Sequence, residues 1–115
     1  MAPAGTTTKH LGAGMQIGVI ADTHSKMRPE ALEALKGSEL ILHAGDVGRD
    51  DVLDALEAIA PVIAIRGNID KSGRAAELPD TRDLEFLGQA VYMLHDVKTL
   101  DFDPQGRYRV VIAGH

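Results

Sequence analysis

Five short apolar runs, each followed by a polar side chain, constrain the fold of this 115-residue chain more than any other feature. The polar residues recur every 20 to 27 positions, which is near the roughly 30-residue length of a β-α-β unit. They are Asp22, Asp46, Asn68, His95 and His115. The interval between two successive polar residues is therefore about the length of one strand and the connection that follows it.

The first three apolar runs, at 16–21, 40–44 and 62–66, alternate with two amphipathic segments. Pro29 stands where the first helix should begin, and an acidic pair at 50–51 suits the positive end of a second helix. The resulting β-α-β-α-β order predicts a parallel sheet with right-handed crossovers.

The second half of the chain predicts a different arrangement of strands. The segments 84–87 and 90–94 flank a Gly-Gln pair at 88–89, which suits a two-residue hairpin turn. The stretch 71–81 has the composition of a loop, and 109–113 predicts a last strand. We therefore predict an α/β fold in which the sheet gains an antiparallel part.

Composition narrows the functional classes. The chain has no cysteine, so a metal site would use only oxygen and nitrogen ligands. The net charge of −5 offers no basic surface, so stable nucleic-acid binding is not expected.

Residues 1–14 are predicted to be a flexible N-terminal arm without a signal peptide, and 15–115 to be one domain. No apolar stretch is long enough for a membrane span. The absence of cysteine fits a reducing cytoplasm, so we expect a cytoplasmic protein. Self-association into a homo-oligomer stays open.

The polar residues at the strand ends indicate a metal centre. Ligands of open α/β sheets gather outside the carboxyl ends of the strands, where all five residues are placed. Asp, Asn and His suit Mn, Zn, Fe, Co or Ni. Two such ions about 3.5–4 Å apart can clamp a phosphoryl group if one carboxylate bridges them. Asp46, in the middle of the series and after a glycine, is the best bridging candidate.

The pattern resembles that of the calcineurin-like metallophosphoesterases, in particular their small single-domain microbial phosphodiesterases. It reads D-x-H at 22–24, G-D at 45–46, G-N at 67–68, H-D at 95–96 and G-H at 114–115. The resemblance runs from residue 15 to the end of the chain. It implies a sandwich of mixed β-sheets flanked by helices, with two divalent metal ions, Mn first and Zn, Fe, Ni or Co as alternatives.

The resemblance also implies roles for individual residues. Asp22 and His24 would hold the first metal, and Asp46 would bridge the two ions. The second metal would be held by Asn68, His95 and His115. The implied reaction is hydrolysis of a small phosphodiester by in-line attack of a metal-bridging hydroxide, with catalytic roles for Asp46, Asn68 and His95.

Three departures from the family pattern matter. The family has a second histidine two residues beyond the position of His115, and this chain has none, so the first metal site would lack one protein ligand. The family's last strands are also missing, so we expect a sandwich that is C-terminally incomplete unless a neighbouring chain completes it. Finally, Ile69 replaces a histidine that protonates the leaving group in many relatives, which favours substrates with good leaving groups.

Other readings stay open for several polar residues. His43 lies within an apolar run, where a histidine is more often a buried, hydrogen-bonded group than a metal ligand. Asp70 could cap a loop, and the cations Lys71 and Arg74 are more often solvated than bound to phosphate. Asp96 could orient its neighbour His95.

Two further hypotheses stand beside the hypothesis that the chain is an active enzyme. The chain could be a binding module that keeps the fold without turnover, as in the retromer subunit that resembles this family, or an incomplete copy of an active enzyme. Other enzyme classes are disfavoured, because the chain has no dinucleotide-binding, P-loop or G-x-S-x-G signature.

Overall fold

A computed structural model of the chain describes residues 7–10, 16–86 and 88–114. Within these residues the strands are β1 (Thr7–His10), β2 (Gln16–Ile20), β3 (Leu40–His43), β4 (Val62–Ala64), β5 (Thr81–Phe86), β6 (Gln89–Leu94) and β7 (Val110–Ile112). The α-helices are α1 (Pro29–Leu35), α2 (Asp50–Glu57) and α3 (Gly73–Ala76). One turn of 3-10 helix spans Val97–Thr99.

The first sheet has the strand order β1-β2-β3-β4, and β2, β3 and β4 run parallel. The predicted β-α-β-α-β order is therefore confirmed. Helix α1 begins at Pro29, whose missing N–H costs nothing in the first turn. Helix α2 begins with two aspartates, which complement the positive end of the helix dipole.

The second sheet has the order β5-β6-β7, with β5 and β6 antiparallel and β6 and β7 parallel. The predicted hairpin is present, but it belongs to this separate sheet and not to an extension of the first. Phe86 pairs with Gln89, so Gln89 lies in the strand and not in the turn where we predicted it. The stretch 71–81, predicted as loop, contains the short helix α3.

Two apolar layers hold the molecule together, one on each face of the first sheet. On one face, Ile17 and Leu42 pack with Val91 and Met93 of the second sheet. On the other face, strand and helix side chains pack together, among them Ile20, Leu35, Ile41 and Leu56. Because successive side chains of a strand point to opposite faces, strands that are apolar on both faces suit a sheet covered on both sides. The fold is the expected mixed α/β sandwich.

Strand β1 differs from the predicted flexible arm. Residues Thr7–His10 pair antiparallel with β2 from Val19 to Gln16. Without this partner β2 would be an edge strand with unpaired backbone groups, and threonine favours extended backbone. Among the described residues there is no helix with the length and hydropathy that crossing a membrane requires.

Candidate metal centre

The loops after β2 and β3 run side by side because the ladder between these strands continues beyond their ends. The N–H of Asp22 donates to the Gly45 carbonyl at 3.0 Å, and the N–H of His24 donates to the Asp46 carbonyl at 2.9 Å. The N–H of Ser25 donates in the same way to Val47 at 2.9 Å. These hydrogen bonds bring the first two polar segments of the sequence into contact.

The same loops hold four non-glycine residues in the left-handed backbone region. Their φ angles are 56° for Asp22, 47° for His24, 67° for Ser25 and 58° for Asp46. Such backbone costs roughly 1–2 kcal/mol per residue and persists only where the surrounding structure enforces it. Three of the four are predicted metal ligands, so the strain is concentrated where the predicted function lies.

Two histidine side chains flank the carboxylate of Asp46. The Nε2 atoms of His24 and His95 each lie 3.2 Å from Asp46 Oδ2. Asp22 Oδ1 also lies near both rings, 3.9 Å from His24 Nε2 and 4.0 Å from His95 Nε2. Ligand atoms of Asp22, Asp46 and His95 all lie within 4.8 Å of one another. Two donors about 2.1 Å from one ion at a right angle are about 3 Å apart, so the 3.2 Å separations fit shared metal coordination.

The orientation of His95 also suits a metal ligand. Its Nδ1 lies 2.8 Å from the carbonyl oxygen of Ala44. A carbonyl can only accept, so Nδ1 carries a proton, and when the ring is neutral the lone pair of Nε2 is left for a metal ion. Metal-binding imidazoles are usually fixed in this way, by a hydrogen bond from the other ring nitrogen.

The pKa values of the two carboxylates are shifted in opposite directions. Burial would raise the pKa of Asp46, but the N–H of Ile69, which donates to Oδ1 at 3.1 Å, and the nearby His95 and His24 bring its pKa below the usual value. For Asp22, burial and the negative charge of Asp46 outweigh the attraction of the histidines and raise the pKa. A divalent cation would relieve the repulsion between these carboxylates.

Two further predicted ligands are Asn68 and His115. Asn68 is exposed and lines a cleft together with His95. Its backbone N–H contributes to the lowered pKa of Asp46. His115 lies outside the described residues. The structure thus brings Asp22, His24, Asp46 and His95 together, and the individual ligand roles stay predictions.

Two buried polar side chains form hydrogen bonds with the ligand loops. His43 is fully buried and hydrogen-bonded to Thr23 and Gly45, as predicted for a group that is not itself a ligand. Asp70 is buried and accepts three backbone N–H groups, from Val47, Gly48 and Gly67.

Asp70 therefore caps these loops, a role that the sequence left open, and it joins the loops after β3 and β4. The supporting role of Thr23 was not predicted from the sequence. The sequence indicates it only by placing a hydroxyl residue between two predicted ligands.

The glycine at 67 lies directly before the predicted ligand Asn68. A missing Cβ lets a loop turn sharply and lets another group approach the backbone closely. At Gly67 an added Cβ would lie 2.1 Å from the backbone nitrogen of Asp46 and 2.3 Å from its Oδ1. The missing side chain thus makes room for the neighbouring ligand loop.

An open cleft of about 640 Å³ is lined in part by His95, which directly follows β6. Its lining includes Asn68, Lys71, His95 and Asp96, and the pair formed by Arg66 and Asp80. Of the two cations left open by the sequence, Lys71 faces this cleft.

The other cation, Arg74, has a structural role. It joins α3 to α2 through ion pairs of 2.9 Å with Asp54 and Glu57. Asp96 accepts a hydrogen bond from the N–H of Lys98 at the start of the 3-10 helix. The side chain of Ile69 is partly exposed beside the ligand loop and offers no proton to a leaving group.

Sequence comparisons identify related proteins. A calcineurin-like phosphoesterase superfamily domain matches residues 15–115. A probable metallophosphoesterase from Methanothermobacter thermautotrophicus is 43% identical over 114 residues, covering 88% of this chain and 66% of that protein. A probable metallophosphoesterase from Methanocaldococcus jannaschii is 43% identical over 70 residues, covering 56% of this chain and 36% of that protein.

Structure comparisons identify the same fold. The crystal structure of Vps29 from Chaetomium thermophilum matches with a TM-score of 0.65 at 21% identity, covering 80% of this chain and 51% of that one. A Vps29 point mutant from Entamoeba histolytica matches with a TM-score of 0.57 at 18% identity, covering 77% and 51%. The chain thus spans about half of these structures and two thirds or less of the curated relatives. With the match over residues 15–115, the chain belongs to the calcineurin-like phosphoesterase superfamily.

Proposed function

We propose that the chain is a metal-dependent phosphodiesterase with a binuclear centre built around Asp46. The observation that carries this proposal is the position of Asp46 Oδ2, 3.2 Å from the Nε2 atoms of both His24 and His95. A carboxylate held between two imidazoles is placed to be shared by two ions. The family supports hydrolysis of a phosphoester, and the preference for diesters and for Mn is our inference.

The side chains have separate tasks in this proposal. Asp22, His24, Asp46 and His95 would hold the ions. When bound, two divalent ions supply Lewis-acid activation of water and neutralise charge on the phosphoryl group. Asn68, at the edge of the open cleft, would donate its amide hydrogens to a phosphoryl oxygen and orient the substrate.

The cleft and Ile69 together favour a particular substrate. The cleft is large enough for one ester substituent of a small phosphodiester, and its lining contains as many acidic as basic side chains apart from the buried Asp70. The side chain of Ile69 cannot protonate a departing alkoxide. We therefore expect fast turnover only with leaving groups that depart as stable anions, such as nitrophenolate.

The test is the Mn-dependent hydrolysis of bis(p-nitrophenyl) phosphate by the wild type and by Asp46→Ala. Asp51→Ala is the matched control, since Asp51 is an exposed carboxylate of α2 that forms an ion pair with the exposed Arg49. We expect loss of at least 100-fold in kcat/KM for Asp46→Ala and no change for Asp51→Ala. Equal turnover by the wild type and Asp46→Ala would overturn the proposal, while a folded wild type without metal or turnover would favour the binding module.

A further inference from the structure

His43 is the last residue of β3 and has no exposed surface. A polar ring in a strand otherwise made of leucine and isoleucine costs free energy unless both of its nitrogens are hydrogen-bonded. Both are hydrogen-bonded here, and their two partners belong to different ligand loops. The ring thus connects the segment before Asp46 to the segment that carries Asp22 and His24.

The direction of each hydrogen bond follows from the partners. The N–H of Gly45 donates to Nδ1 at 3.1 Å, so Nδ1 carries no proton. The hydroxyl of Thr23 donates to the carbonyl of Val47 at 2.9 Å, so its oxygen accepts from Nε2–H of His43 at 3.0 Å. This is the opposite tautomer to that of His95, and it uses both ring nitrogens. His43 therefore has no lone pair left for a metal ion.

We infer that His43 is a positioning residue: its neutral Nε2–H imidazole fixes the loop of Asp22 and His24 against the loop of Asp46 before any metal binds. This role rests on the proposed metal centre, whereas the tautomer of His43 does not. The two carboxylates repel each other, and their loops carry left-handed backbone at Asp22 and Asp46. A link buried beneath both loops opposes their separation.

Substitutions can separate the two hydrogen bonds of the ring. His43→Asn places an amide oxygen near the position of Nδ1 and keeps the Gly45 contact, but it loses Thr23. His43→Gln reaches the position of Nε2 and keeps the contact with Thr23. Thr23→Val removes the same link from the other side. The contact with Thr23 is the link between the two loops. We therefore expect His43→Gln to retain a higher affinity for Mn than His43→Asn.

The readout is the affinity of the folded protein for Mn, measured by titration calorimetry. We expect a 10- to 100-fold weaker Kd for His43→Asn and for Thr23→Val, which is typical when the support of a metal ligand is lost. The loss should be smaller for His43→Gln, and the double variant Thr23→Val/His43→Asn should be no weaker than either single variant. Leu56→Ala is the control, since Leu56 belongs to the core on the helix side of the first sheet and takes no part in the hydrogen bonds of His43.

A second measurement uses the metal-free protein. Nitrogen-15 chemical shifts of the His43 ring should show a protonated Nε2 and an unprotonated Nδ1. The other tautomer, or wild-type Mn affinity in folded His43→Asn and Thr23→Val, would overturn the inference. If the wild type bound no Mn, the proposed metal centre would fail and this role with it, even with the expected tautomer. If His43→Asn does not fold, Thr23→Val decides the question.

Discussion

At the scale of single residues, the candidate centre depends on backbone that most side chains avoid. Asp22, His24 and Asp46 all have positive φ, and hydrogen bonds between their loops hold them there. The sequence indicated which residues would meet, because each follows an apolar run. It could not indicate the strained backbone, since aspartate and histidine after a strand are equally compatible with ordinary loops.

The buried ring of His43 predicts a dependence of stability on pH in the metal-free protein. Burial lowers its pKa from 6.5 to about 4, with a smaller effect of His95 in the same direction and opposite effects of Asp70 and Asp46. Below pH 6.5 the His43 ring takes up a proton in the unfolded chain, whereas in the folded chain it stays neutral down to about pH 4. Stability is therefore lost as the pH falls from 6.5 towards 4, by about 2–3 kcal/mol between pH 7.5 and 4.5.

Urea unfolding at these two pH values, in the wild type and in His43→Gln, measures this contribution. The variant lacks the titrating ring, so its stability should fall by about 2–3 kcal/mol less than that of the wild type. The same pH dependence in both proteins would show that His43 is not held neutral.

Gly67 provides a second prediction at the residue scale. Gly67→Ala should destabilise the protein by roughly 2–3 kcal/mol, because the new methyl group would overlap the backbone and carboxylate of Asp46. The comparison is Gly106→Ala, where φ is +82° and nothing lies within 4 Å of the added Cβ. This control should cost only about 1 kcal/mol, from backbone strain alone. Equal unfolding free energies for the two variants would contradict the close approach at Gly67.

At the scale of secondary structure elements, the centre forms where strands of two sheets end. The alternation of apolar runs and amphipathic segments was enough to predict β2, α1, β3, α2 and β4, because both periodicities are local. The hairpin of β5 and β6 was also predictable. Its membership of a second sheet was not, since that depends on Val91 and Met93 packing on β2 and β3, a contact between distant parts of the chain.

Asp70 joins the loops that follow two of these strands. A small change of its side chain should therefore have a large effect on stability. In Asp70→Asn one carboxylate oxygen becomes an NH₂ group that faces a backbone N–H donor of Val47, Gly48 or Gly67. We expect a loss of roughly 2–4 kcal/mol in the unfolding free energy, since buried donors are left without acceptors.

The matched control for this change is Asp80→Asn. Asp80 forms an exposed ion pair with Arg66, and such pairs contribute about 0–1 kcal/mol. Chemical denaturation of both variants at one pH makes the comparison. A loss for Asp70→Asn no larger than that for Asp80→Asn would show that the three backbone hydrogen bonds do not hold the loops together.

At the scale of the whole molecule, two sheets and one layer of helices place a small group of acidic and imidazole side chains at one edge. The family resemblance came from five short motifs, and the structure brings together the motif residues Asp22, His24, Asp46 and His95. Supporting groups such as Thr23 were not predictable, because their function depends on hydrogen bonds across about 20 residues of sequence.

The central claim is that Asp46 is shared by two divalent ions. Calorimetric titration of the metal-free chain with Mn, with metal content measured on the same samples, tests it most directly. We predict two Mn ions per wild-type chain and the loss of both sites in folded Asp46→Asn, with Asp51→Asn unchanged. A folded wild type that binds no Mn, or Asp46→Asn that binds two ions as tightly as the wild type, would contradict the claim.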